Sequence, residues 1–128
     1  MPLGDIDPAL SLMGEFGQIT HGTVRHIGEM RQAAVFTEGA VPARLKALAA
    51  MLWAVSARCE PCFTFYVQQA HRLGATKAEM GEFLAIASTM GGCVGEMWAL
   101  KAFKAYKDHS EGKESARGAS EPGCCASP

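Results

Sequence analysis

Three shortages bound what this 128-residue sequence can be. It has almost no net charge, −1 by formal count, so nothing gives it a general attraction to nucleic acid or to an acidic membrane surface. It has no uninterrupted apolar run long enough to span a bilayer. Its first residues, Met1-Pro2-Leu3-Gly4-Asp5, lack the basic region and apolar core of a secretory leader. The expectation is a cytoplasmic protein with neither a nucleic acid nor a membrane as partner. No alternating strand pattern occurs, and Gly91-Gly92 follows no strand, so there is no nucleotide-binding fingerprint and no cofactor is expected.

The composition that remains is that of an ordinary globular chain, 48% hydrophobic and 20% charged, long enough for one domain with its own core. Asp7-Pro8 reads as an N-cap followed by proline at the first helical position, with Leu10, Met13 and Phe16 at helical spacing. Thr20 is the candidate cap of a following helix whose face carries Val24, Ile27, Met30 and Ala34. Whether these are two helices or one bent helix stays open. From Pro42 to Ala57 the chain is apolar nearly all round, which marks an element buried in a core or a subunit interface. A helix from about Glu60 to Leu73 should end at Gly74. Thr76 and Glu79 have the spacing of a capping box, so the next helix starts at Lys77. Its face carries Met80, Phe83, Leu84, Ile86 and Ala87; Gly91-Gly92 then breaks or thins the chain before a last helix from about Cys93 to Lys107. The expected fold is all-α, a compact helical domain over residues 1–108. Residues 109–128 hold no large apolar side chain and are expected to form a flexible tail.

Five cysteines cannot all pair within one molecule, and in a cytosolic chain they point to reactive or ligating thiols rather than a disulfide framework. Cys59 and Cys62 lie at C-x-x-C spacing, where they can close into a disulfide across one turn or hold a soft metal. Pro61 fits the first turn of a helix, which puts Cys59 near the N-cap and Cys62 in the first turn. Unpaired N–H groups and the positive end of the helix dipole favour a thiolate there. Arg58 adds a positive charge and Glu60 opposes it. The pair therefore reads as a thiol–disulfide site. Cys59 looks the more exposed of the two, whereas Cys62 is nearer Tyr66, four residues on along the helix.

From about Gly39 to Tyr106 the chain resembles the alkylhydroperoxidase D-like / carboxymuconolactone decarboxylase family. The resemblance rests on the apolar helix before the cysteines, Cys59-x-x-Cys62, the run Ala70-His71-Arg72-Leu73-Gly74-Ala75-Thr76, a glutamate in the next helix, and Gly91-Gly92. It implies an all-helical fold, association into homo-oligomers such as trimers or hexamers, and a peroxide- or disulfide-reducing activity of the cysteine pair. It also implies a C-x-x-C-x-x-x-H motif with a glutamate in the preceding helix, which together relay protons. Here Tyr66 stands at the histidine position, and Ala47 stands about where the glutamate would be. The candidate catalytic residues are thus Cys59, Cys62 and Tyr66, with electrons supplied by a protein or a small thiol.

Cys124-Cys125, on a tether of about 15 residues spanning on the order of 20 Å, are candidate accessory thiols that exchange with the C-x-x-C pair. A second reading is a soft-metal or metalloid binding protein using all four of these cysteines. A third is decarboxylase-type chemistry, against which the C-x-x-C counts, and a fourth is a non-catalytic oligomeric member of the family. His71 falls near the opposite side of the helix from Cys62, and His21 and His26 reach the site only through tertiary packing. Cys93 reads as a small packing residue, and Glu82 and Glu96 as solvated or interface charges.

Overall fold

The computed structural model describes residues 3–112, and among them every regular element is helical. Two short 3-10 turns, Leu3–Asp5 and Pro8–Leu12, precede helices α1 (Met13–Ile19), α2 (Thr23–Val35), α3 (Ala43–Ser56), α4 (Glu60–Arg72) and α5 (Lys77–Ser110). Asp7 caps as expected, its carboxylate accepting the Ala9 N–H at 2.8 Å, but the turn it starts is 3-10 rather than α. The two N-terminal segments are separate helices. Thr20 does not cap α2: its hydroxyl donates back to the Phe16 carbonyl at 2.8 Å, and Gly22, at φ 93, takes the N-cap.

The inward face of α2 is also one residue away from the expected one. Val24, Gly28, Arg31 and Val35 are the half-buried stripe, whereas Ile27, Met30 and Ala34 point to solvent. Both stripes have helical periodicity, and tertiary contacts chose between them. Phe36, just past α2, packs on the core, and Arg31 reaches α4.

Helices α3, α4 and α5 form the bundle proper, each packed on the other two, and α2 joins it through α3. Leu48, Met51, Phe63, Val67 and Met80 are its largest fully enclosed side chains. The capping box opens α5: the Thr76 hydroxyl accepts the Glu79 N–H at 3.0 Å, and the Glu79 carboxylate accepts the Thr76 N–H at 3.1 Å. The same carboxylate takes two N–H groups of Arg44 on α3, with the closest approach 3.0 Å. Donation from Arg44, then from the Thr76 backbone, holds the Glu79 carboxyl below the usual carboxylate range.

Helix α5 is interrupted at Gly92, whose φ of 62 and ψ of −146 are not helical. The expected break at the glycine pair is therefore present, with its φ in the region that glycine alone adopts freely. Three residues on, a Cβ at Gly95 would collide with the Ala87 carbonyl, so glycine lets the two halves of α5 meet. An 18-residue stretch of α5 has a mean hydropathy of 1.3, apolar enough to cross a membrane, and only 11% of it is buried. The break divides the helix, however, and its second half carries Glu96, Lys101, Lys104, Lys107 and Asp108. What α5 presents is an uncovered apolar surface on a bundle helix. Cys124 and Cys125 lie outside the described residues.

Candidate active site

The end of α3 places the cysteine pair. Beyond its cap at Ala57, the Arg58 N–H donates to the Val55 carbonyl and the Cys59 N–H to the Ala54 carbonyl, both at 3.0 Å. These two bonds define a Schellman turn, whose middle residue must be left-handed. Arg58 occupies that position at φ 58. The same pair of bonds ends α4, where the left-handed residue is Gly74 at φ 101. A non-glycine residue in this conformation costs roughly 1–2 kcal/mol, so the chain accepts a backbone cost one residue before Cys59.

Cys59 is the N-cap of α4, with extended backbone at φ −100 and ψ 98, and Pro61 lies in the first turn. The Cys59 and Cys62 sulfurs are joined in a disulfide, with Cα atoms 5.2 Å apart. Their exposure is the reverse of the expectation: Cys62 is exposed and Cys59 half-buried. Cys59 sits in the seam between helices, its N–H tied back to α3 and its carbonyl accepting the Phe63 N–H at 2.9 Å. Cys62 faces out from the first turn, where backbone N–H groups and the helix dipole favour an anion.

Tyr66 follows one turn beyond Cys62. Long helical side chains lean toward the N-terminus over residues three and four positions back, which directs Tyr66 toward the Cys62 turn. The ring is half-buried, tilted against Phe36 at 6.1 Å and edge-on to Phe65 at 5.2 Å. The Arg31 Nε–H donates to its hydroxyl at 2.9 Å, and the guanidinium lies 5.9 Å from the Phe65 ring centre. Sequence reasoning missed Arg31. The available signal was a cation four residues after Ile27 and four before Val35, inside an apolar helical register. Ala47, about where the family's glutamate would be, is wholly enclosed in the core.

The other candidates belong elsewhere. His71 stacks edge-on against Tyr106 and His109, near the far end of α4. His21 is exposed in the α1–α2 turn, and His26 faces Glu29 at 3.8 Å on the exposed side of α2. Cys93 is a free, exposed thiol rather than a packing residue, because it directly follows the Gly92 break. Glu82 and Glu96 are solvated, as expected. Among the described residues, no group of three or more His, Cys, Asp or Glu is placed to hold a metal ion. The four-cysteine metal reading depends on Cys124 and Cys125, outside the described residues.

Beside Arg58 opens a groove of about 500 Å³ between α3 and the bend of α5, walled by Leu52, Trp53, Ile86, Met90, Val94 and Trp98. Trp53 is 73% exposed and Met90 81%, so large apolar side chains face outward without cover.

A profile of the carboxymuconolactone decarboxylase family matches residues 22–105, from the cap of α2 into the last third of α5. The chain belongs to the carboxymuconolactone decarboxylase family. This family includes alkylhydroperoxidase-like members and is oligomeric in general. An uncharacterised protein of Cupriavidus necator is 38% identical over 95 residues, covering 74% of this chain and 82% of that protein. The crystal structure of an apo carboxymuconolactone decarboxylase family protein from Legionella pneumophila superposes with a TM-score of 0.76 at 29% identity. That match covers 84% of this chain and 96% of the other. Family membership accounts for the all-helical bundle.

Proposed function

We propose that this carboxymuconolactone decarboxylase family chain is a thiol-dependent oxidoreductase, reducing peroxides or disulfides through Cys59 and Cys62. The observation that carries the reading is a cysteine pair closed across the first turn of α4, with its second cysteine exposed. Cys62 is the attacking thiol, since it is the exposed member and lies in the turn where the helix terminus favours a thiolate. Cys59, held in the seam, resolves the intermediate. The reaction runs by thiolate attack, loss of the leaving group and closure of the disulfide. A protein or small-thiol donor returns the two electrons.

Such a site suits a reducing compartment, and the cytoplasm is our assignment. The chain works as a homo-oligomer, a trimer or hexamer. The uncovered groove face of α3 and α5 supports this, because a surface with Trp53 and Met90 so exposed is stabilised by burial against another copy. The helical domain, which extends to Ser110 rather than to residue 108, carries this chemistry, and the segment beyond it brings Cys124 and Cys125 as accessory thiols for exchange with the pair.

The test is turnover of tert-butyl hydroperoxide and of a small disulfide with a dithiol donor, for the native chain, Cys59→Ser and Cys62→Ser. Turnover should vanish in both variants. Full activity in both would overturn the reading.

A further inference from the structure

We infer that Arg31 is a positioning residue that fixes Tyr66 as the proton donor to the leaving group of an alkyl hydroperoxide. The inference rests on the thiol oxidoreductase reading and specifies how its first step proceeds without a histidine. Arginine has only donors to offer, so in the 2.9 Å contact from Arg31 Nε the tyrosine oxygen is the acceptor. The phenol hydrogen is left for a different acceptor. Tyr66 stands one helical turn after exposed Cys62, and long helical side chains lean over the residues three and four positions before them. Its ring is held by Phe36 and Phe65, and the Arg31 guanidinium rests against Phe65. Helix α2 reaches this part of α4 through long side chains, thirty-five residues away in sequence. The bond therefore ties a separate helix to the orientation of one hydroxyl group.

In the step, the Cys62 thiolate attacks the terminal oxygen of the hydroperoxide and the O–O bond breaks. The sulfur becomes a sulfenic acid, and the departing alkoxide takes the Tyr66 proton and leaves as the alcohol. The Cys59 thiol then displaces the sulfenic oxygen as water, closing the disulfide, and solvent returns a proton to Tyr66. The sum is dithiol plus hydroperoxide to disulfide, alcohol and water.

A proton donor matters for a poor leaving group and not for a good one, which gives a test that a structural role would not pass. Pre-reduced native chain, Tyr66→Phe, Arg31→Gln and the double variant are mixed in single turnover with tert-butyl hydroperoxide, which releases an alkoxide. They are also mixed with peracetic acid, which releases acetate. Tyr66→Phe should slow the alkyl hydroperoxide reaction at least about a hundredfold and leave the peracid rate near native. Arg31→Gln should slow the alkyl reaction by about tenfold, again sparing the peracid, and should add nothing in the Tyr66→Phe background. A native peracid rate also shows that each variant is folded. Equal slowing with both oxidants, no slowing with either, or an additive double variant would overturn the inference alone. A native chain that forms no Cys59–Cys62 disulfide with either oxidant would overturn the oxidoreductase reading as well.

Discussion

Replacing Arg58 by glycine should stabilise this protein, although it removes a side chain next to the cysteine pair. The two Schellman turns make the comparison internal: Gly74 and Arg58 hold the same position in the same pair of hydrogen bonds, at φ 101 and 58. Releasing Arg58 from the left-handed region recovers roughly 1–2 kcal/mol. Glycine returns about 0.5–1 kcal/mol of that through the greater freedom of the unfolded chain. The net gain is about 0.5–1 kcal/mol, a rise in Tm of about 2–8 °C for a domain near 100 residues. Calorimetry of the oxidised chain would measure it, with Arg58→Ala as the control that loses the charge but keeps the backbone cost. Alkylation of the reduced Arg58→Gly chain should be slower at Cys62, because a cation that favours the thiolate is gone. Such a pairing would explain why the position is not glycine: the charge beside Cys59 is kept at the expense of stability. If Arg58→Gly melts no higher than Arg58→Ala, the strain argument is wrong.

Other consequences of the structure can be measured on the same samples. Phe63→Ala, at the largest enclosed side chain, should lower the unfolding free energy by about 3–5 kcal/mol in urea. The Glu79 carboxyl is held below its ordinary range, so its contribution is present above the ordinary carboxylate pKa and lost as pH falls through the folded value. Glu79→Gln should therefore melt below the native chain near pH 7, and the difference should close under acid conditions. Trp53→Glu or Met90→Glu should reduce the mass seen by light scattering to that of a smaller species, while circular dichroism retains the helices. Gly95→Ala should destabilise by about 1–3 kcal/mol, since its methyl group meets the Ala87 carbonyl.

Much of the local chemistry was legible, although Thr20 did not cap α2 and Asp7 opened a 3-10 turn. The capping box of Thr76 and Glu79, the stop at Gly74, the break at Gly92 and the start of α4 around Pro61 all follow from rules within a few residues. Other errors came where a choice between two periodic solutions depends on distant partners. From Val24 the face of α2 could have run on through Ile27 and Met30, and packing of Phe36 and Arg31 selected Gly28 and Val35 instead. The exposure of the two cysteines inverted for a related reason. Being first in the motif suggests openness, but the Schellman bond from Cys59 to Ala54 folds that residue into the seam. At the candidate site, the closeness of Cys59 and Cys62 at the start of α4 was readable from their spacing. Arg31 was not, because nothing within its own helix shows which side chain of α4 it will meet.

The central claim is that the Cys59–Cys62 bond cycles rather than staples. Its midpoint potential, taken by equilibrating the protein with thiol–disulfide buffers and counting alkylated cysteines by mass spectrometry, tests this directly. Catalytic dithiols fall between about −270 and −120 mV, and the account places Cys59–Cys62 there, with Cys62 the thiol trapped first. A midpoint below about −300 mV, typical of structural bridges, would contradict it.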